Sequence, residues 1–102
     1  MAIVWVVANA GHDYEAAKDK GEIKFLFDGK VNVFASDFLV KEIAQKLDAA
    51  TEEDYLCLSG TALANCIAYA YFLKKFKRVN VLLFSFKNNG YETRTIREQR
   101  EE

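Results

Sequence analysis

The sequence has no proline, one histidine and two cysteines among its 102 residues. Without proline it has no Pro-rich linker, and a single histidine leaves few ligands for a metal site. Cys57 and Cys66 match neither a CxxC motif nor a metal-ligand spacing, and each falls in an apolar stretch. Both are therefore predicted to be buried thiols in a reducing compartment. No metal and no cofactor is expected.

The sequence also lacks a surplus of either charge and a long hydrophobic run. It contains 14 Lys and Arg residues and 15 Asp and Glu residues, so the two charges nearly balance. General nucleic-acid binders and proteins of anionic membranes usually carry a basic excess. The longest apolar helical stretch, residues 62–73, is shorter than the ~20 residues that span a bilayer. The apolar run Ala2–Ala8 has no basic segment before it and is not expected to be a signal peptide. We expect a cytoplasmic protein without general nucleic-acid or membrane binding.

The pattern of apolar residues predicts alternating strands and helices. Half of the chain is apolar, which favours a folded domain. The predicted elements, in chain order, are a strand at 3–8, a helical turn at 14–19, a strand at 22–27, a helix at 37–49, a strand at 55–58, a helix at 62–76, and strands at 79–86 and 91–96 joined by the turn KNNG.

This order predicts one small α/β domain at residues 1–96, followed by a solvated tail at 97–102. The expected architecture is a Rossmann-like, mainly parallel sheet flanked by helices, with an antiparallel C-terminal edge hairpin.

Two polar turns follow strands that would end at the same edge of such a sheet. NAGHDY follows the strand at 3–8, and LSGTALAN joins the strand at 55–58 to the apolar helix. Ligands of open α/β sheets bind beyond the carboxyl ends of the strands. The candidate ligand-binding residues therefore come from these turns: Asn9, Gly11, His12, Asp13, Tyr14, Ser59, Gly60, Thr61 and Asn65.

The turn at Ser59–Thr61 has the composition of an anion site. Free backbone N–H groups at a helix start attract phosphate or carboxylate, and Asn65 could add an amide. In the alternative interpretation, Ser59 or Thr61 only caps the helix and Asn65 satisfies nearby backbone. The turn matches neither a Walker loop nor GxGxxG nor GxSxG. Candidate cations for a bound anion are Lys18, Lys20, Lys30, Arg94 and Arg97.

His12 allows three interpretations. As a catalytic base it would need Ser59 as nucleophile, but Asp13, its neighbour in the chain, tends to point elsewhere, and no residue is predicted to be catalytic. As a neutral side chain it would hydrogen-bond a polar ligand. Otherwise the turn is structural, with Asp13 capping the short helix and Tyr14 packed. Whether the protein is an enzyme stays open, with a binding protein as the expected class.

The apolar helix at 62–76 carries aromatic residues on more than one side: Tyr69, Tyr71, Phe72 and Phe76. Such a helix must be buried on several sides, and in a small domain a second subunit could supply the extra cover. A homo-oligomer, most simply a two-fold dimer, is therefore expected.

Three segments resemble a group of small bacteriophage and prophage proteins: VVANAGHDYEAAKDKGEIKFLFDG, EEDYLCLSGTALANCIAYAYFLKKFKRVNVLLF and YETRTI. The shared features are a GHDY turn and a DYLxLSG unit that joins a strand to a helix. The resemblance implies a viral origin and expression in the host cytoplasm, and it transfers no catalytic residue. Where the group carries an arginine before GHDY, this chain has Ala10.

Turn chemistry and the viral origin that the resemblance implies together predict a small phage protein that captures a polar anionic ligand, such as a nucleotide or cyclic nucleotide used as a host immune signal. Phosphate would bind at Ser59–Thr61, and the base or ribose would lie near His12, Asp13 and Tyr14. The first alternative is an interaction module for a host or virion protein. The second is a small hydrolase or nuclease that uses His12.

Overall fold

A computed structural model of the chain describes residues 2–85 and 87–99. Its strands are β1 (Ile3–Ala8), β2 (Glu22–Phe27), β3 (Tyr55–Cys57), β4 (Arg78–Ser85) and β5 (Gly90–Arg97), and its helices are α1 (Ser36–Lys46) and α2 (Ala62–Phe76). Short 3-10 turns occupy Glu15–Ala17 and Leu47–Ala49, so the helix predicted at 37–49 is divided in two. Phe86, the last residue of the predicted fourth strand, and residues 100–102 of the predicted tail lie outside the described residues.

The strands form one mixed sheet in the order β2-β1-β3-β4-β5. β1 is parallel to β2 and β3, β3 is parallel to β4, and β5 is antiparallel to β4. The predicted α/β class, with a mainly parallel sheet and an antiparallel C-terminal edge, is confirmed. From β1 the chain moves to one side to form β2 and then to the other side to form β3. The strand order thus reverses between β1 and β3, where ligands bind in sheets of this type.

Both long helices cover the same face of the sheet. Their buried side chains, including Leu39, Ile43 and Phe72, pack in one cluster with Trp5 and Leu56 of the strands. The cause is the handedness of the crossovers: the connections through α1 and α2 run across the sheet in the same direction, and right-handed crossovers then place both helices on one side.

The opposite face is covered differently. The connection from β1 to β2 runs in the reverse direction and contains only the 3-10 turn at Glu15–Ala17. Tyr14 and Ala17 of this connection pack on Val4, Val6, Cys57 and Leu82. A segment this short covers less of the sheet than a helix does, and the pocket described below lies on this face.

Helix α2 packs on the sheet through the small residues Ala64 and Ala68, which are fully buried. Tyr69 and Tyr71 are partly buried against the same cluster, and Lys75 Nζ lies 5.5 Å from the centre of the Tyr71 ring. This packing within the chain accounts for aromatic residues on more than one side of α2. Their distribution alone therefore does not require a second subunit.

The two cysteines differ in exposure. Cys57 is buried, but Cys66 is exposed, so the prediction that both thiols are buried is wrong for Cys66. Its position explains the difference: it lies midway between Ala64 and Ala68 along α2, on the side of the helix turned away from the sheet. Within the described ranges, no helix is long and apolar enough to cross a membrane.

Candidate functional site

A pocket of about 480 Å³ lies at the carboxyl edge of the sheet, on the face opposite the two helices. This volume is within the range of small-molecule sites. The ends of β1 and β3 and the β4–β5 hairpin supply its lining residues: His12, Asp13, Tyr14, Ala16, Cys57, Leu58, Ser59, Leu82, Leu83, Phe84, Asn89 and Tyr91. The pocket therefore lies beside the reversal of strand order between β1 and β3.

Four of the nine candidate residues line this pocket: His12, Asp13, Tyr14 and Ser59. The other five lie outside its lining: Asn9, Gly11, Gly60, Thr61 and Asn65. The two polar turns nevertheless meet, because the Tyr14 hydroxyl and Ser59 Oγ are 2.6 Å apart. Parallel strands bring their carboxyl ends together, and this contact is the result.

Tyr14 and Ser59 form one side of the pocket, and both residues are nearly buried. Tyr14 is 7% exposed and Ser59 is 9% exposed. The Tyr14 hydroxyl also accepts a hydrogen bond from the backbone N–H of Ala10 at 3.1 Å, and its ring packs edge-on against Phe25, with the ring centres 5.5 Å apart. Both hydroxyls thus have partners inside the protein, and they hold the two turns together.

The geometry does not assemble a Ser–His–Asp triad. Ser59 Oγ is bonded to the Tyr14 hydroxyl, and Asp13 Oδ1 accepts from the backbone N–H of Glu15 at 2.9 Å, where the 3-10 turn begins. His12 is exposed at the mouth of the pocket and stacks edge-on with Tyr14, with the ring centres 6.2 Å apart. Within the described residues, no hydrogen bond joins His12 to Ser59 or Asp13.

Cys57, which is buried, and Tyr91 pack together in the lining of the pocket and form what is here called its floor. Burial raises the pKa of the Cys57 thiol to about 11. Burial, together with the neighbouring Cys57, Tyr14 and Asp13, raises the pKa of Tyr91 to about 12. Both groups are therefore uncharged at neutral pH, and the floor of the pocket is a neutral surface.

Among the residues that the structure describes, no lysine and no arginine line the pocket. None of the candidate cations named above reaches it: Lys18 pairs with Glu15 at 2.9 Å and Arg94 pairs with Glu92 at 3.6 Å, and Lys20, Lys30 and Arg97 are absent from the lining. The Asp13 carboxylate makes the lining more suitable for a neutral or cationic group than for phosphate. Among the described residues, no cluster of three His, Cys, Asp or Glu side chains could hold a metal ion.

Asn65 closes the turn that precedes α2. Its Oδ1 accepts from the backbone N–H of Ser59 at 2.9 Å, and its Nδ2 donates to the carbonyls of Ser59 at 3.0 Å and Thr61 at 2.8 Å. Thr61 occupies the N-cap position but makes no capping hydrogen bond with its side chain. Asn65 is therefore engaged with backbone, which is the structural alternative considered above.

The substitution Asn65→Asp is expected to lower the free energy of unfolding by about 2 kcal/mol at neutral pH. A carboxylate keeps the acceptor for the Ser59 N–H. Its second oxygen, however, replaces the Asn65 amide nitrogen that donates to the carbonyls of Ser59 and Thr61 in the parent protein, and so it would repel these two oxygens. Protonation would restore one donor, so the deficit relative to the parent protein should decrease in acid. Urea unfolding of both proteins at neutral and acidic pH measures this deficit.

Asn32→Asp is the matched control. Asn32 Oδ1 accepts from the backbone N–H of Phe34 at 3.0 Å and the residue is exposed, so a carboxylate can replace it with little effect. Equal losses of stability in the two variants would contradict the role assigned to the Asn65 amide.

The hairpin side of the pocket was not predicted. Phe84 and Tyr91 are paired across the antiparallel strands, and their rings meet edge-on with centres 5.3 Å apart. The signal in the sequence was the turn KNNG, because it fixes which residues of 79–86 and 91–96 face each other. Alternation along the strand would then have placed Leu82, Phe84 and Tyr91 on one face.

A family model described as Phage Pam3 gp32-like protein matches residues 5–98 of the chain. No curated protein and no solved structure shows significant similarity to it.

Proposed function

The chain belongs to the phage Pam3 gp32-like protein family, and starting from this phage origin we propose that it is a binding protein that takes up a small organic ligand in the host cytoplasm. The observation that carries the proposal is the pocket of about 480 Å³ beside the reversal of strand order. A site of this size and position is typical of small-molecule binding in open α/β sheets.

The group that enters the pocket is proposed to be flat, uncharged and capable of hydrogen bonding, like the nucleoside part of a nucleotide-type host signal. The aromatic rings of Tyr14, Phe84 and Tyr91 offer surfaces for a planar group. His12 and Asn89 add polar groups that can donate or accept hydrogen bonds. These residues suit a nucleobase, whose faces are apolar and whose edges are polar.

Phosphate is not placed at the start of α2 in this proposal, contrary to the expectation from turn chemistry. Asn65 already bonds the backbone of that turn, and the pocket lining carries the Asp13 carboxylate and, among the described residues, no lysine or arginine. Any phosphate of the ligand would therefore extend from the mouth of the pocket into solvent.

The test is a thermal-shift panel of nucleosides, their 5′-monophosphates and cyclic nucleotides. A ligand at about 100 times its Kd stabilises by ~2.7 kcal/mol, which for a domain of this size raises Tm by on the order of 10 °C. We expect a nucleoside to raise Tm, and its 5′-monophosphate to raise Tm no further. His12→Ala should weaken binding about tenfold, which corresponds to the loss of one hydrogen bond.

Thr61→Ala is the matched control, because Thr61 belongs to the same edge of the sheet but does not line the pocket. It should bind like the parent protein. An unchanged Tm across the panel, or a Thr61→Ala variant that binds as weakly as His12→Ala, would count against the proposal.

A second candidate function is binding of a host or virion protein. Phe34, in the turn that precedes α1, and Phe38, in the first turn of α1, are 96% and 68% exposed. Aromatic side chains presented in this way are frequent anchors in protein interfaces. The two candidates are distinguished by the same panel, since a protein-binding function predicts no Tm shift with any nucleoside or nucleotide.

A further inference from the structure

β5 is an edge strand with eight residues, and its outer side carries backbone groups in a regular pattern. The N–H of Glu98 donates to the carbonyl of Lys77 at 3.0 Å. Hydrogen bonds alternate along an antiparallel pair, so the even-numbered residues of β5 bond to β4. The odd-numbered residues Tyr91, Thr93 and Thr95 therefore direct their N–H and C=O groups outward.

The other edge of the sheet is partly blocked. β2 has six residues, and the carbonyl of Phe27 accepts the N–H of Asn9 on the β1 side. By alternation the carbonyl of Leu26 points outward, where it accepts a hydrogen bond from Lys46 Nζ of α1. Edge strands covered in this way by a side chain of another element are poor templates for another strand. On β5 the Thr93 carbonyl accepts a hydrogen bond from Arg94 Nη1 at 2.9 Å, but this exposed side chain belongs to the edge strand itself and can rotate away from the carbonyl. β5, which is also the longer strand, is therefore the better template.

We infer that two copies of this chain pair through β5, antiparallel and around a two-fold axis at Thr93, so that their five-stranded sheets become continuous. In this register Thr93 lies opposite Thr93 of the second copy, and Tyr91 lies opposite Thr95 in both directions. Each of these pairs exchanges two backbone hydrogen bonds. An isologous contact of this kind closes at two copies.

Charge selects this register. With the axis at Thr93, Glu92 of each copy lies opposite Arg94 of the other, in a pair where the side chains approach most closely. Moving the axis by one residue in either direction places Glu92 opposite Glu92, or Arg94 opposite Arg94. Within one copy these two side chains are 3.6 Å apart and 44% and 59% exposed, so their pairing is weak and easily exchanged for the one across the interface.

The pairing would also extend the pocket face. Tyr91 lines the pocket and faces the same side of the sheet as Thr93 and Thr95. The second copy would therefore continue this face beyond the β4–β5 hairpin, and the two pockets would open on the same side of the joined sheet. This inference does not depend on what the pocket binds.

The test measures the molar mass in solution of the full-length parent protein, of each variant and of their mixture, by size-exclusion chromatography with light scattering. The parent protein is expected to be a dimer. Glu92→Arg and Arg94→Glu alone should each weaken the dimer about tenfold or more, because each brings two like-charged pairs together. An equimolar mixture of the two variants should restore the dimer, since one strand then presents two carboxylates and the other presents two guanidiniums.

The mixture separates pairing between copies from pairing within a copy, because the contact within a copy is lost in both variants. It also shows that each variant is folded. Lys18→Glu is the matched control, since it reverses one charge of another exposed ion pair, and it should leave the dimer unchanged. A monomeric parent protein, single variants that stay dimeric, or a mixture that stays monomeric would overturn the inference.

Discussion

Replacing Asp54 with alanine is expected to lower the free energy of unfolding by about 3 kcal/mol or more. Asp54 is 2% exposed, and its carboxylate accepts hydrogen bonds from the Ile3 N–H at 3.0 Å, the Trp5 indole N–H at 2.9 Å, and the N–H and hydroxyl of Thr51 at 3.0 and 3.1 Å. Alanine would leave the buried indole N–H without this partner. Urea unfolding and a Tm lower by roughly 12 °C or more would measure the loss.

The effect should depend on pH in a defined direction. Burial alone would raise the pKa of Asp54, but its hydrogen bonds from Trp5, Thr51 and Ile3 outweigh burial and hold the pKa below the ordinary value of 3.8. A group with a lowered pKa contributes its full stabilisation above the ordinary value and loses it as the pH falls through the folded one. The difference in stability between the parent protein and Asp54→Ala should therefore be constant at neutral pH and decrease below about pH 4.

Asp19→Ala is the control for this prediction, because Asp19 is an exposed aspartate in a turn. Its removal should change stability by at most about 0.5 kcal/mol. A difference for Asp54→Ala that persists unchanged into strong acid would show that the carboxylate does not act through its charge.

The order and type of the elements could be predicted because each depends on a local pattern. α2 begins and ends where the apolar spacing predicted, at Ala62 and Phe76. Its end also has a local cause, since Lys77 adopts the left-handed conformation with φ 65° and the lysines of the last turn favour a helix C-terminus.

Asp54 shows what a local pattern does not contain. In the sequence it is one more acid of the charged segment TEED, and composition favours an exposed position for it. Its burial depends on Trp5 of β1, which is 49 residues away in the chain but donates a hydrogen bond to Asp54 just before β3 begins. No periodicity in either segment indicates this pairing.

The lining of the pocket was predicted in part for a related reason. Parallel strands bring their carboxyl ends to one edge of the sheet, and this rule led to His12, Asp13, Tyr14 and Ser59. It does not say which face of the sheet holds the pocket, because this depends on where the crossovers place α1 and α2. Asn65 belongs to α2 and bonds the turn backbone, so it is not part of the lining.

Replacing Gly60 with alanine is expected to cost about 2–4 kcal/mol of stability. Gly60 has φ +80°, a conformation that costs an L-residue roughly 1–2 kcal/mol. A Cβ at this position would also lie 2.7 Å from the Cβ of Ala8, and overpacking of this kind costs a further ~1–3 kcal/mol. The contact between Gly60 and Ala8 is what lets the Ser59 turn lie on the end of β1, within reach of Tyr14.

Two other glycines separate the effects of strain and overlap. Gly11 has φ +81°, but a Cβ there would meet nothing within 4 Å, so alanine would add strain without overlap. Gly29 has no positive φ and equally open space, so alanine would add neither. Urea unfolding should therefore rank the alanine variants in the order Gly29, Gly11 and Gly60, from the smallest loss to the largest. A Gly60→Ala variant that loses no more stability than Gly11→Ala would show that the turn shifts freely on β1.

A double-mutant cycle with Ala8→Gly tests the overlap directly. Glycine in a strand costs about 1 kcal/mol by itself, so Ala8→Gly should destabilise the parent protein. In the Gly60→Ala background it removes the atom that the new Cβ meets, and it should restore stability instead. A coupling energy of about 1–3 kcal/mol is expected for residues in such contact. If the effects of the two substitutions on stability were additive, the position of the Ser59 turn would not depend on the contact between Gly60 and Ala8. The distance of 2.6 Å between the Tyr14 and Ser59 hydroxyls would then need another cause.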